Sequence, residues 1–183
     1  MRKKFDEELR HLNNLLLEMA MLNESAIKKA ISLLDEKDEK IAEEVSNYEE
    51  RTDVYEGIIQ KQCLKIFVEQ QPAAGDLRRV SSALKMITDM ERIGDNARDI
   101  ADICMMLPDD YDTSRFPLIK QMADATINLL NKSIDSFVNL DLESAEKIDD
   151  DDDVVDNYFV MIRDELIDII KSDFDPAAAI DFI

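Results

Sequence analysis

Glycine and proline are scarce: the 183 residues include 3 Gly and 4 Pro, where average usage gives roughly 13 and 9. Tight turns and strand-rich architecture therefore lack their usual material, and long helices are expected instead. Cysteine is almost missing. Cys63 and Cys104 lie far apart with no Cys-x-x-Cys spacing, which gives neither a disulfide framework nor a zinc ribbon and fits a reduced cytosol. Each is expected to be a small buried apolar residue. The single histidine, His11, cannot supply the two Glu-x-x-His motifs of di-iron oxidases and reads as a surface or packing residue. No Gly-rich phosphate loop, Cys–His nucleophile pair or nucleotide fingerprint occurs, so an enzyme is not expected. A run of about 18 apolar residues, the minimum for a membrane span, is also missing. The basic start Met1-Arg2-Lys3-Lys4 is followed by Asp6, Glu7 and Glu8 where a signal peptide would turn apolar. A cytoplasmic protein without direct membrane insertion is expected.

What the chain has in excess is acid. It carries 42 Asp+Glu against 22 Lys+Arg, a formal charge of −20. A surface this anionic repels phosphate backbones and anionic headgroups, so nucleic acid is not an expected partner. Cations and basic protein patches are. An apolar fraction of 45% is enough to offset the entropy of ordering and argues for a folded chain despite the charge.

The apolar residues recur at helical spacing. Phe5, Leu9, Leu12, Leu15, Leu16, Met19, Leu22, Ile27, Ile31 and Leu34 predict a first helix over 5–35. Asp38 is a candidate N-cap. A second helix is predicted over 39–70, with Ile41, Val45, Tyr48, Thr52, Tyr55, Ile59, Cys63 and Ile66 inward, ending at Gln71-Pro72. A third runs over 73–107, with Met86, Met90, Ile93, Ala97, Ile100 and Cys104 as its expected apolar stripe. After a polar connector at 108–115 the pattern resumes. Ile119 to Phe137 mark a fourth helix and Ala145 to Ile169 a fifth.

The second half repeats the first. Asp38-x-x-x-Ala42-x-x-Val45 returns as Asp141-x-x-x-Ala145-x-x-Ile148 at an offset of 103, and Gln71-Pro72-Ala73-Ala74 as Asp175-Pro176-Ala177-Ala178 at 104. The expected organisation is a three-helix unit over 1–107, the connector 108–115, and a second unit over 116–183 whose third helix lasts only about two turns. The expected fold is therefore all-α: tandem three-helix bundles of long antiparallel helices, the second incomplete.

Two acidic pairs in the first unit and one in the second are spaced i, i+4: Glu49/Asp53, Glu91/Asp95 and Asp152/Asp156. Residues four apart share a helix face, so each pair repels itself by a few tenths of a kcal/mol unless a cation intervenes. The first pair lies 21 residues before the turn at 72 and the second 21 after it. In an antiparallel hairpin both then stand at one height, roughly 30 Å from the turn at 1.5 Å per residue. Four carboxylates on one level offer hard oxygen donors suited to iron, manganese or magnesium. Glu56, Asp99 and Asp102 lie within two turns as possible further ligands. Asp152 and Asp156 occupy the repeat-equivalent positions of Glu49 and Asp53. The same acids on helix three also fit an ordinary solvated face opposite its apolar stripe, and both readings are open from spacing alone. Gly94 is expected to allow a close helix approach, since an interior glycine disfavours a helix by about 1 kcal/mol relative to alanine. Arg92 is expected to pair with a neighbouring acid.

The stretch Gln70-Gln71-Pro72-Ala73-Ala74-x-Asp76-Leu77-Arg78, followed by Leu84-Lys85-Met86-Ile87-Thr88-Asp89-Met90-Glu91-Arg92-Ile93-Gly94-Asp95 with Ala97 and Ile100-Ala101 beyond, resembles the signature of the PhoU-type regulators of bacterial phosphate transport. The resemblance covers essentially the whole chain, more strongly in the first repeat. It implies two three-helix bundles that bind multinuclear metal clusters on their surface through Glu/Asp-x-x-x-Asp motifs. Those motifs fall here on Glu49/Asp53, Glu91/Asp95 and Asp152/Asp156, for iron, manganese, zinc or magnesium. It also implies a non-enzymatic negative regulator linking the ATPase subunit of a phosphate ABC transporter to a sensor histidine kinase, attached to the membrane peripherally through those proteins. The family's second Glu-Arg-Ile-Gly-Asp-type motif would fall near 195–199, beyond this chain, so the second site is expected to be incomplete and the second unit to pair with another protomer as a homodimer. Two alternatives are a metal-free acidic adaptor that docks a basic partner, and a transport accessory protein without kinase contact.

Overall fold

The computed structural model describes residues 2–108 and 117–172, and over them it contains helices and no strand. The order is α1 Arg2–Ser32, α2 Glu39–Gln70, α3 Ala74–Met106, α4 Pro117–Asn139, a single turn α5 Leu142–Ala145, and α6 Ile148–Ser172. The repeated capping residue works in both halves. Asp38 accepts from the Lys40 backbone N–H at 2.8 Å ahead of α2, and Asp141 accepts from Ser144 N–H at 3.1 Å and its hydroxyl at 2.7 Å ahead of α5. Each satisfies amide groups that a helix start leaves unpaired. At the far end of α2, Pro72 would favour an extended residue before it, but Gln71 instead takes the left-handed conformation with φ 45°.

Three expected features need correcting. The first helix stops at Ser32, where Leu33 and Leu34 bond back only three residues, to Ala30 and Ile31. The fifth helix is two: the Asp141 cap closes a single turn, and α6 begins afresh at Ile148. The stripe of α3 keeps Met90, Ala97 and Cys104 but is rotated from Met86, Ile93 and Ile100 toward smaller residues. Val80, Ala83, Ile87, Met90, Gly94, Ala97, Ala101 and Cys104 are buried, whereas Met86 and Ile93 are half-buried and Ile100 is exposed. Small residues take the inner positions because α3 packs closely against both α1 and α2, and the bulkier neighbours flank the seam.

The core falls into two apolar clusters. One gathers Leu12, Leu16 and Met19 of α1, Ile59, Cys63 and Ile66 of α2, and Val80, Ala83, Ile87 and Met90 of α3. The other gathers Ala26, Ala30, Val45, Ala97, Ala101 and Cys104. The order of these residues shows α2 antiparallel to both of its neighbours. Leu130 and Ile134 of α4 join the first cluster and Ile127 the second, so the halves share a core through the α1–α4 contact. Polar contacts reinforce that seam: Asn131 Nδ2 donates to Glu24 Oε2 at 3.0 Å, and Arg79 Nη2 to the Val138 carbonyl at 3.2 Å. Both cysteines are free and buried, and burial pushes the Cys63 thiol up to about 11. His11 is exposed.

α6 packs on α4, and among its described side chains only Ile162 is buried, while Val154, Phe159, Val160, Met161 and Ile167 are exposed. The expected third helix of the second unit, with Asp175-Pro176, and most of the 108–115 connector lie outside the described residues.

Candidate metal centre

Between the two apolar clusters the three-helix core has a polar layer. Asn23 of α1 and Thr52 of α2 are completely buried there, and Gly94 of α3 faces both. Asn23 Nδ2 donates to the Met90 carbonyl at 2.7 Å. The Thr52 hydroxyl lies 3.2 Å from Asn23 Oδ1 and 3.0 Å from the Tyr48 carbonyl, and its single proton serves one acceptor at a time. An ideal Cβ on Gly94 would stand 3.3 Å from Thr52 Cγ2 and 3.4 Å from Asn23 Oδ1. The expected close approach is therefore real: glycine lets α3 settle against Thr52.

That approach assembles the acids. Thr52 is flanked in sequence by Glu49 and Asp53, Gly94 by Glu91 and Asp95, so drawing the inner residues together brings the outer ones level. One carboxylate oxygen each from Glu49, Asp53 and Asp95 lie within 4.8 Å of one another, the only such acidic or ligating trio among the described residues. Glu49 is nearly buried, with its side chain 10% exposed, while Asp95 is at the surface. Glu91 and Glu56 belong to the same electrostatic neighbourhood. Burial first, then Asp95, Glu56 and Asp53, push the Glu91 carboxyl above its ordinary range. The Thr88 hydroxyl donates to Glu56 at 3.4 Å. Burial also pushes Glu49 up, opposed by Arg98 and reinforced by Asp53 and Asp95.

The other predicted ligands sit apart. Asp99 and Asp102 are exposed further along α3 and do not join the trio. Asp152 and Asp156 are exposed on α6, where the described residues bring no third acid to them. Sequence reading missed Arg98, whose Nη1 donates to Glu49 Oε2 at 3.2 Å, and the Asn23–Thr52 pair beneath the acids. A buried asparagine in an apolar stripe was the available signal. Arg92 reaches an acid as expected, Asp89 at 3.9 Å, but the pair is exposed and so contributes little.

The donor set fits a hard cation. Six oxygens at about 2.1 Å place neighbours about 3 Å and opposites about 4.2 Å apart, and the trio's oxygens lie within 4.8 Å of one another. It contributes oxygen alone, with no imidazole or thiolate, which suits magnesium, manganese or iron better than zinc.

Comparison with known proteins gives a consistent family. The PhoU domain matches residues 16–104 and 119–183. A phosphate-specific transport system accessory protein PhoU homolog from Aquifex aeolicus is 31% identical over 170 residues, covering 93% of this chain and 77% of that protein. Its counterpart from Clostridium acetobutylicum is 30% identical over 173 residues, covering 94% and 79%. The crystal structure of PhoU from Pseudomonas aeruginosa superposes with a TM-score of 0.84 at 26% identity, covering 97% of this chain and 84% of that one.

Proposed function

The chain belongs to the PhoU family, and from that premise we propose that it is a non-enzymatic accessory regulator of phosphate uptake that binds metal through the Glu49–Asp53–Asp95 site. The observation that carries the metal reading is the trio of oxygens within 4.8 Å of one another on helices held together by Gly94. Like charges placed that close are unfavourable without a counter-charge, and a divalent or trivalent cation would reverse the penalty. Glu91 and Glu56 extend the site toward a second metal ion. Asp152 and Asp156 form the corresponding half-site of the second repeat, where a homodimer or the rest of the unit would supply further ligands.

The names of the relatives tie them to the phosphate-specific transport system. We carry that association to this chain: a negative regulator at the cytoplasmic face, contacting a transporter ATPase subunit and a sensor histidine kinase. No helix of the described residues is long and apolar enough to cross a membrane, which is consistent with attachment through proteins. The exposed Phe159 and Met161 on α6 support a protein-covered second unit.

Metal content by elemental analysis of the wild type beside Asp53→Asn/Asp95→Asn and Asp152→Asn/Asp156→Asn tests the site. The first double variant should lose most of the bound metal and the second should keep it; equal content in all three would overturn the assignment. Deleting the gene should derepress phosphate-starvation genes in rich phosphate, and unchanged repression would overturn the regulatory role. One observation favours a second reading, the metal-free adaptor: Arg98 already gives Glu49 a cationic partner. Partner binding that survives chelator and weakens with salt would support it.

A further inference from the structure

The least exposed acid of the trio is the one that holds a cation of the protein's own. Glu49 has 10% of its side chain exposed, and Arg98 Nη1 reaches its Oε2 at 3.2 Å. The other basic groups along this part of the bundle are engaged elsewhere. Arg92 reaches Asp89, and the Arg51 guanidinium lies 5.9 Å over the Tyr48 ring. We propose that Arg98 is the resident counter-ion of the Glu49–Asp53–Asp95 site, which an entering metal ion must displace from Glu49, so that this guanidinium sets the metal concentration at which the site fills. The inference rests on the metal-binding reading above.

The two partners of this ion pair differ in exposure, Arg98 at 48% and Glu49 at 10%. A carboxylate as buried as Glu49 cannot be left without a compensating charge, because an unpaired buried ion is strongly destabilising. Arg98 is 48% exposed, so its guanidinium can return to water at small cost. A metal bridging Glu49, Asp53 and Asp95 takes over the compensation and repels the guanidinium at the same time. Loading is then an exchange of one cation for another, and the metal-free state keeps its helix register because Glu49 is never unpaired. Without Arg98 the site would carry its full repulsion when empty and bind metal more tightly.

Titration with Mn2+ by calorimetry, with thermal unfolding in EDTA and in Mn2+, tests this on the wild type, Arg98→Gln and Arg98→Lys. Arg98→Gln should bind Mn2+ about three- to tenfold more tightly, the range expected for losing one partly exposed competing pair. It should also melt lower than wild type in EDTA and gain more from Mn2+. Arg98→Lys retains the charge and should stay near wild type in both measurements. A purely structural arginine would lower melting equally with and without metal and leave the affinity unchanged, which would overturn the proposal, as would weaker binding by Arg98→Gln. Absence of Mn2+ binding by all three proteins would instead overturn the metal reading and this inference with it.

Discussion

Gly94 of α3 packs directly on Thr52 of α2, where a Cβ on the glycine would stand 3.3 Å from Thr52 Cγ2. Two effects oppose each other in Gly94→Ala. Alanine gains about 1 kcal/mol of helix propensity. The new methyl, however, presses on a β-branched side chain whose χ1 is restricted and whose hydroxyl is held by Asn23 and Tyr48. The crowding should win: a net loss of about 1 kcal/mol in urea unfolding for Gly94→Ala and about 3 kcal/mol for Gly94→Val. Metal affinity should fall with it, because pushing α3 outward separates Asp95 from Glu49 and Asp53. A more stable Gly94→Ala protein would show that the approach tolerates a methyl.

Asn23 is the second member of that layer, and the only one contributed by α1. Asn23→Ala removes the donor to the Met90 carbonyl and leaves a polar-lined void, so a loss of about 1–3 kcal/mol is expected. Asn23→Asp separates charge from shape. The isosteric carboxylate would face the Met90 carbonyl without a proton to donate and would add charge beneath three acids, so at pH 7 it should destabilise more than alanine does. Burial raises the pKa of such a carboxyl above its unfolded value, and stability should return as pH falls below it. Equilibrium unfolding of both variants between pH 4 and 8 checks this; equal losses at every pH would place the side chain outside a low-dielectric layer.

The long helices and their antiparallel order were legible because 3.6-residue periodicity survives in α1 and α2 almost residue for residue. The equal height of Glu49/Asp53 and Glu91/Asp95 was legible too, since it needs only the turn at Pro72 and a constant rise. Rotation about the axis of α3 was not. Met90, Ala97 and Cys104 of the expected stripe are buried, but Met86, Ile93 and Ile100 are more apolar than Ala83, Gly94 and Ala101, and hydrophobicity alone reads them inward in their place; the small residues lie inward because backbone proximity, rather than apolar area, governs that seam. For the same reason Arg98 escaped notice: its relation to Glu49 depends on a relative rotation of two helices that periodicity does not encode. On α6 the expected inward row survives at Val155, Ile162, Leu166 and Ile169, but Phe159 of that row is exposed, as are Val154, Val160, Met161 and Ile167 beside it.

The N-caps offer a comparison between the repeats. Asp38 opens α2, a helix of 32 residues at the centre of the core, whereas Asp141 opens the four-residue α5, which buries nothing. Asp38→Ala should destabilise the protein by about 1 kcal/mol. Asp141→Ala removes equivalent hydrogen bonds from a turn whose opening need not disturb the core, so its effect on global unfolding should be smaller. Hydrogen exchange should show the difference as local opening at 142–146 for Asp141→Ala and a general decrease in protection across α2 for Asp38→Ala. Equal global losses would mean that α5 is cooperative with the first unit.

The acids of the site also dictate a pH dependence opposite to that of the ion-paired glutamates. Glu8, held by Lys65 and Gln62, and Glu24, held by Lys28 and Asn131, have lowered pKa values; their stabilisation is present above the unfolded value near 4.5 and lost as pH falls through their folded values. Glu49 and Glu91 are raised, by burial first. Their contribution is therefore full below 4.5 and lost as pH rises through their folded values, so at pH 7 the metal-free protein bears an unfavourable charge at Glu49. Glu49→Gln keeps an acceptor for Arg98 and removes that charge. In EDTA at pH 7 it should be at least as stable as wild type, with the difference shrinking as the pH approaches 4. Saturating Mn2+ should reverse the order at pH 7, because only the wild type gains binding energy from the trio. Thermal unfolding across pH 4–8 with and without Mn2+ measures all of these. A wild type that is the more stable in EDTA at pH 7 would show that the Arg98 pair outweighs the burial of Glu49.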